Sequence, residues 1–393
     1  MKVFTVFIFL VLSLFSANYP FPQDAGYYNS SKITLYPKSE LISNVKNYYD
    51  IWKRDFIVCK DGFCRVAFDK KDKTYTVSEG QGYGMMIVAI MAGYDLEAKK
   101  IFDAMYRFVK ANPSDIVHSF MNWKVPPEGK EKDSAFDGDA DIAYALLLAD
   151  KQWGSSGKIN YLKEAKKIIN DISRYTMGKN SNLPLLGDWE DQNGKKYNQF
   201  TPRTSDFMLS HFRAFYRVTK DKKWLKAIRA CQKALLKIQR LSQNKTELVS
   251  DFVVIDKYGY HPAPRKFLEE EDNSYYYNAC RVPFRVGLDA LLNNDKISRY
   301  IALKMTEWIY KSSSKNPVNI KSGYRLDGSV IGNYFSTAFV APFGVSSKLD
   351  PKYQSYLNSL YNKIKNNHEN YYEDSLNLIS QLIMIDAFWD PTR

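Results

Sequence analysis

Helical periodicity runs through this chain from residue 40 almost to its end. Ile142, Ala145, Leu146, Ala149 and Trp153 fall on one helix face, as do Leu225, Ile228, Ala230, Ala234, Leu235 and Ile238. The same spacing recurs in 85–91, 101–109, 161–172, 207–218, 286–292, 297–310, 353–364 and 376–388. Strand alternation is scarce: Val253-Val254-Ile255 and Arg65-Val66-Ala67-Phe68 suit small hairpins, and no strand–helix–strand rhythm builds a parallel sheet. The pattern predicts an all-α chain of roughly ten to twelve helices. No Pro/Ser linker or low-complexity run divides it, so a single domain over 18–393 is expected. A helix-only domain of this size must stack its helices in layers or close them into a ring, because a simple bundle core stops growing near about 250–300 residues.

What precedes that domain sets the compartment. Met1-Lys2, the apolar run Val3 to Phe15, and Ser16-Ala17 before Asn18-Tyr19-Pro20 have the three parts of a secretion signal over 1–17. The run is shorter than the roughly 18–20 residues a spanning helix needs, so a secreted, extracellular protein without stable membrane association is expected. Cys59 and Cys64 bracket a four-residue turn that a disulfide could close in an oxidising compartment, with two free thiols as the alternative. The four histidines are far apart and no zinc spacing occurs, so no metal or other cofactor is assigned. Net charge is +13, but the lysine runs are interspersed with acids, which argues for a solvated surface and against nucleic acid.

Three stretches can carry chemistry. Ser78-Glu79-Gly80-Gln81-Gly82-Tyr83-Gly84 sets one carboxylate at the head of a glycine-rich turn, where a ligand could approach the backbone; the alternative is a helix start with Glu79 facing the dipole. Asp137-Gly138-Asp139-Ala140-Asp141 opens like a calcium loop, but Ile142 and Leu148 replace the required glycine and closing acid. Asp137 and Asp141 can share a helix face, one capping while the other meets a ligand. Glu269-Glu270-Glu271-Asp272, Tyr275-Tyr276-Tyr277 and Arg281 follow each other closely. Two carboxyl groups across a groove are what glycosidic cleavage needs, one protonating the leaving oxygen and one working from the opposite face. Tyrosine and tryptophan suit the same task by stacking on sugar faces.

At these motifs the chain resembles glycoside hydrolase family 8, secreted bacterial enzymes acting on β-1,4-linked polysaccharides. The stretch from Ser78 to Gly84 is similar to the segment bearing the general acid, and that from Asp137 to Trp153 to the family signature. Further likeness lies in Thr201 to Arg217, Tyr275 to Arg285, Gly332 to Val345 and Tyr371 to Trp389. The resemblance implies an (α/α)6 barrel of six inner and six outer helices and an inverting mechanism. It makes Glu79 the acid and Asp137 the residue that binds the distorted sugar. In the cellulase branch an Asp base occupies the position held here by Asn278; in the licheninase and chitosanase branch that position is Asn and a loop Glu takes over, which points to Glu269. Glu270, Glu271 and Asp272 stay open. Tyr277, Asn278 and Arg281 match sugar-positioning residues, and Trp123, Trp189, Tyr371 and Tyr372 are stacking platforms or core. The expected protein is a monomeric, secreted, inverting endo-β-glucanase acting on β-1,4 or mixed-linkage β-1,3-1,4 glucans. A chitosanase or endo-xylanase with the same machinery is the alternative, and a non-catalytic polysaccharide-binding protein is the rival from another class.

Overall fold

The computed structural model describes residues 17–126 and 132–393, so all but the last residue of the expected signal lies outside the described residues. Twelve α-helices run through them: α1 (Lys38–Phe56), α2 (Ser78–Ile90), α3 (Ala98–Ala111), α4 (Phe136–Trp153), α5 (Tyr161–Tyr175), α6 (Leu209–Thr219), α7 (Lys223–Gln239), α8 (Val282–Asn293), α9 (Lys296–Ser312), α10 (Thr337–Ser347), α11 (Gln354–Ile364) and α12 (Tyr371–Met384). Ten match the expected segments; α1 and α10 are additions. The strands form four two-stranded antiparallel pairs: β1 (Ile57–Lys60) with β2 (Phe63–Val66), β3 (Thr76–Val77) with β4 (Lys124–Val125), β5 (Val253–Asp256) with β6 (Gly259–Pro262), and β7 (Ser322–Tyr324) with β8 (Val330–Gly332). Cys59 and Cys64 face each other across β1–β2 and are joined by a disulfide.

Burial alternates along the chain. Odd-numbered helices bury one stripe: α1, for instance, buries Leu41, Val45, Tyr48, Tyr49, Trp52 and Phe56 and leaves Ser43, Asn47, Asp50 and Arg54 exposed. Even-numbered helices other than α6 are buried almost throughout; all eleven residues of α10 are enclosed, Pro342 and Gly344 included. The even-numbered set forms a circuit, α2 against α4, α4 against α6, then α8, α10 and α12, which returns to α2. A helix with no exposed face needs neighbours on every side, and such a circuit inside an outer layer supplies them. The surface charge is less evenly spread than the sequence suggests, since α7 contains no acid and turns Lys226, Arg229, Lys233 and Lys237 outward.

The two ends of the inner helices are used differently. Residues 18–31 run as an irregular strap past their C-terminal ends. The backbone N–H groups of Asn18, Phe21, Ala25, Tyr28 and Ser31 donate to the carbonyls of Gln152, Ala92, Asp386, Leu291 and Lys348. These lie at or just beyond the ends of α4, α2, α12, α8 and α10, so the strap satisfies carbonyls or closes turns where helix bonding stops. The opposite, N-terminal ends carry Glu79, Asp137 and Tyr371, and Arg281 immediately precedes α8. No helix among the described residues is long and apolar enough to cross a membrane.

Candidate active site

A cavity of about 510 Å³ opens at those N-terminal ends, lined by Glu79, Asp137, Glu269, Tyr277, Asn278, Arg281, Trp123, Tyr371 and Tyr372, together with Phe68, Arg203 and others. These candidates from the sequence are gathered into one cleft, while Trp189 and the open acids Glu270, Glu271 and Asp272 are not among its lining residues. The Trp189 ring meets Tyr197 edge-on with centroids 5.5 Å apart, and its indole edge closes over Gly187.

Glu79 sits in the first turn of α2. The glycines after it lie inside this helix, which corrects the expected glycine-rich turn and the open backbone it was to offer a ligand. A Cβ on Gly82 would stand 2.6 Å from the Asp141 Cβ, so that position lets α2 and α4 touch. A Cβ on Gly80 would stand 3.0 Å from the Tyr371 ring, whose hydroxyl donates to Glu79 Oε1 at 2.8 Å. Tyr371 is thus enclosed beside Phe68 and works as a hydrogen-bond donor, not as an open stacking face. Arg281 donates to the other oxygen, Oε2. Burial pushes the Glu79 carboxyl up, the Arg281 charge opposes it and the Asp137 charge reinforces it, leaving it at about 7.

The three aspartates of α4 divide their work, and none is the expected side-chain cap. Asp139 accepts from the Met121 N–H at 2.9 Å, and Asp141 is gripped by both terminal nitrogens of Arg285 (2.7 and 2.6 Å) and by His211 Nε2 (2.8 Å). Only Asp137 reaches the cleft. Its Oδ2 accepts from Arg281 at 2.9 Å and its Oδ1 pairs with Arg203 at 3.1 Å. Burial alone would raise its pKa, but Arg203 and Arg281 outweigh it and hold the carboxyl well below the usual range. Adjacent carboxylates have been driven apart, one protonatable near neutrality and one permanently ionised.

On the other side, the acid run resolves into separate tasks. Glu270 faces water beside Lys266 at 3.3 Å. Glu271 pairs with Arg265 and lies 3.7 Å from Arg325. Asp272 accepts from the N–H groups of Leu268 and Glu269 at 2.6 and 2.7 Å, which closes the turn that presents Glu269. Glu269 alone of the four lines the cleft, exposed to solvent, with Oε2 accepting from Asn278 Nδ2 at 3.3 Å. Asn278 Oδ1 accepts from Arg281 Nη2 at 2.9 Å. Glu79 and Glu269 are thus connected through Arg281 and Asn278.

The rings edge this groove. Pairing of β3 with β4 and the bond from the Ser78 N–H to the Trp123 carbonyl (2.8 Å) fix Trp123 beside Glu79, with its side chain open to solvent. Tyr372 donates to the Tyr277 carbonyl at 2.6 Å, and the Tyr277 and Tyr334 hydroxyls are 2.9 Å apart. Sequence reasoning missed Arg203, Tyr334 and Asp251. Arg203 falls inside the stretch Thr201 to Arg217 that carries the family likeness, but was assigned no role there. Asp251 is buried behind the cleft, where enclosure pushes it up to about 7 against three backbone N–H donors.

A proton donor poised near neutrality and a solvent-facing carboxylate in one aromatic-edged groove are the equipment of a glycoside hydrolase. Comparison with known proteins narrows the class: the chain matches the model of Glycosyl hydrolases family 8 over residues 20–385, and it belongs to that family. It is 40% identical to an endoglucanase of Bacillus sp. (strain KSM-330) over 95% of this chain and 82% of the relative. It is also 40% identical to a beta-glucanase of Niallia circulans, over 95% and 91%. Among solved structures, the apo beta-1,3-1,4-glucanase from Paenibacillus sp. X4 superposes with a TM-score of 0.91 at 39% identity, covering 95% of this chain and 99% of that one.

Proposed function

We propose that this chain is a secreted, inverting endo-β-glucanase acting on mixed-linkage β-1,3-1,4 glucans and on β-1,4 glucans. The observation that carries the reading is the pairing of Glu79, buried and titrating at about 7, with solvent-facing Glu269 across Arg281 and Asn278. Glu79 protonates the leaving glycosidic oxygen while Glu269 takes a proton from a water attacking the opposite face of the sugar. Asp137, held ionised, accepts from a hydroxyl of the sugar bound at the cut, and Arg281 holds Glu79 and Asp137 directly and Glu269 through Asn278. Trp123, Tyr277 and Tyr372 present ring and hydroxyl to the neighbouring units; Trp189 extends the run only outside the lined cavity.

The circuit of inner helices within an outer layer supports an (α/α)6 barrel. The disulfide supports an oxidising compartment, and one hydrophobic core running from Phe21 to Trp389 supports a single catalytic domain over 18–393. The relatives' names support the substrate, since they read endoglucanase, beta-glucanase and beta-1,3-1,4-glucanase.

The test is reducing-sugar release by residues 18–393 on mixed-linkage β-glucan, carboxymethylcellulose, xylan and chitosan. Fastest release is expected from mixed-linkage glucan, then carboxymethylcellulose. A clear preference for chitosan or xylan would move the assignment to the alternative specificity. Binding with no release from any polymer would make this a polysaccharide-binding protein.

A further inference from the structure

We propose that Asp251, a buried carboxylate outside the cleft lining, is the positioning residue that holds the Asn278 amide and, through it, Glu269 in the orientation that activates water. The inference rests on the reading of Glu269 as base.

Asp251 engages one short stretch of chain from four directions. Its Oδ1 accepts from the N–H groups of Tyr276 (2.8 Å) and Ala279 (2.7 Å), and its Oδ2 from the Asn278 N–H (3.0 Å) and Asn278 Nδ2 (3.3 Å). A carboxylate offers about four acceptor sites, and all are used here on residues 276–279. Its own backbone is pinned as well: the Asp251 N–H donates to the Ser274 carbonyl at 2.8 Å, and the Asp251 carbonyl accepts from the Thr204 N–H at 2.9 Å. Thr204 opens the turn that carries Ser205, which accepts from Arg281 at 3.0 Å.

The consequence for Asn278 is electrostatic. Its amide oxygen faces an Arg281 donor, so its NH2 must face the two acceptors, Asp251 Oδ2 and Glu269 Oε2, each 3.3 Å away. A flipped amide would set oxygen against two carboxylates and nitrogen against a guanidinium. An Asp at 278 would crowd three carboxylates together and drive at least one to protonate, whereas a neutral donor bridges them. Asp251 is the fixed end of this relay and Glu269 its free end.

If Asp251 acts through Glu269, Asp251→Asn lowers kcat by about 10- to 100-fold with KM within about twofold, and adds no further loss to Glu269→Gln. Thermal unfolding of each variant shows whether the fold is kept. Should Asp251→Asn fail to fold, Asn278→Ala leaves Asp251 and its backbone bonds in place, and the same kcat loss without additivity is expected of it. Full activity of the variant used, or losses that multiply in the double variant, would overturn the proposal. Glu269→Gln retaining more than about a tenth of wild-type kcat would instead overturn the base assignment beneath it.

Discussion

Glu79→Gln is expected to lower kcat on soluble β-glucan by about a thousandfold or more and to leave the fold intact, because the variant keeps the shape of the acid and loses only the proton it delivers. The buried position disfavours the ionised form: the carboxyl titrates at about 7 in the folded protein against an ordinary value of 4.5. Folding therefore binds a proton at this site, and the stability Glu79 contributes declines as pH rises from about 4.5 towards 7. A neutral Gln removes that decline, so the melting temperature of the variant at pH 7 to 8 should match or exceed the wild type's. The same titration shapes wild-type activity. Only protonated Glu79 can donate, so kcat/KM should fall as pH rises through about 7, approaching tenfold per unit at higher pH. Activity constant to pH 9, or a Gln variant with a tenth of normal kcat, would remove Glu79 from this role.

Glu269→Gln carries the second large effect, a fall in kcat of about 10²- to 10⁴-fold with KM little changed, since a neutral amide cannot take the proton of the attacking water. Its neighbours separate this loss from simple damage to the loop. Glu270→Gln breaks only a solvent-exposed pair with Lys266 and should keep activity within about twofold. Asp272→Asn loosens the turn closed by the Leu268 and Glu269 N–H groups, so it should lower kcat less than Glu269→Gln and lower the melting temperature more. If Glu270→Gln or an Arg265-facing Glu271→Gln proved the most damaging to kcat, the base would lie elsewhere in the run.

The helices were legible where one face is wet. Outer helices such as Tyr161–Tyr175 and Lys223–Gln239 alternate apolar and charged residues at helical spacing, which a single sequence displays directly. Thr337–Ser347 was not, because a helix enclosed on all sides has no polar face to set a period, and Pro342 and Gly344 blur it further. The inner-helix starts were read too late for a related reason. Ser78 to Gly84, Asp137 to Asp141 and the first turn of Tyr371–Met384 are occupied by cleft groups and close-contact glycines, chosen for the site and not for a hydrophobic stripe. The same turns made the cleft legible by chemistry: Glu79, Asp137, Tyr277, Asn278 and Arg281 were nameable from their motifs and meet in one cavity. Arg203 and Asp251 were not, because their work depends on what folding brings beside them. Nor could four consecutive acids be told apart until Lys266, Arg265 and the Leu268 and Glu269 N–H groups claimed three of them.

The proposed division of labour, Glu79 as acid and Glu269 as base acting through water, has a direct stereochemical consequence. Proton NMR of the sugar first released from mixed-linkage β-glucan, recorded before mutarotation equilibrates the anomers, reads it without any mutation. Initial accumulation of the α-anomer from a β-linked polymer is the expected result, because water held by Glu269 attacks the face opposite the leaving oxygen. Initial accumulation of the β-anomer would mean that a carboxylate attacks the sugar itself, and would contradict the assignment of Glu269 as a base acting through water.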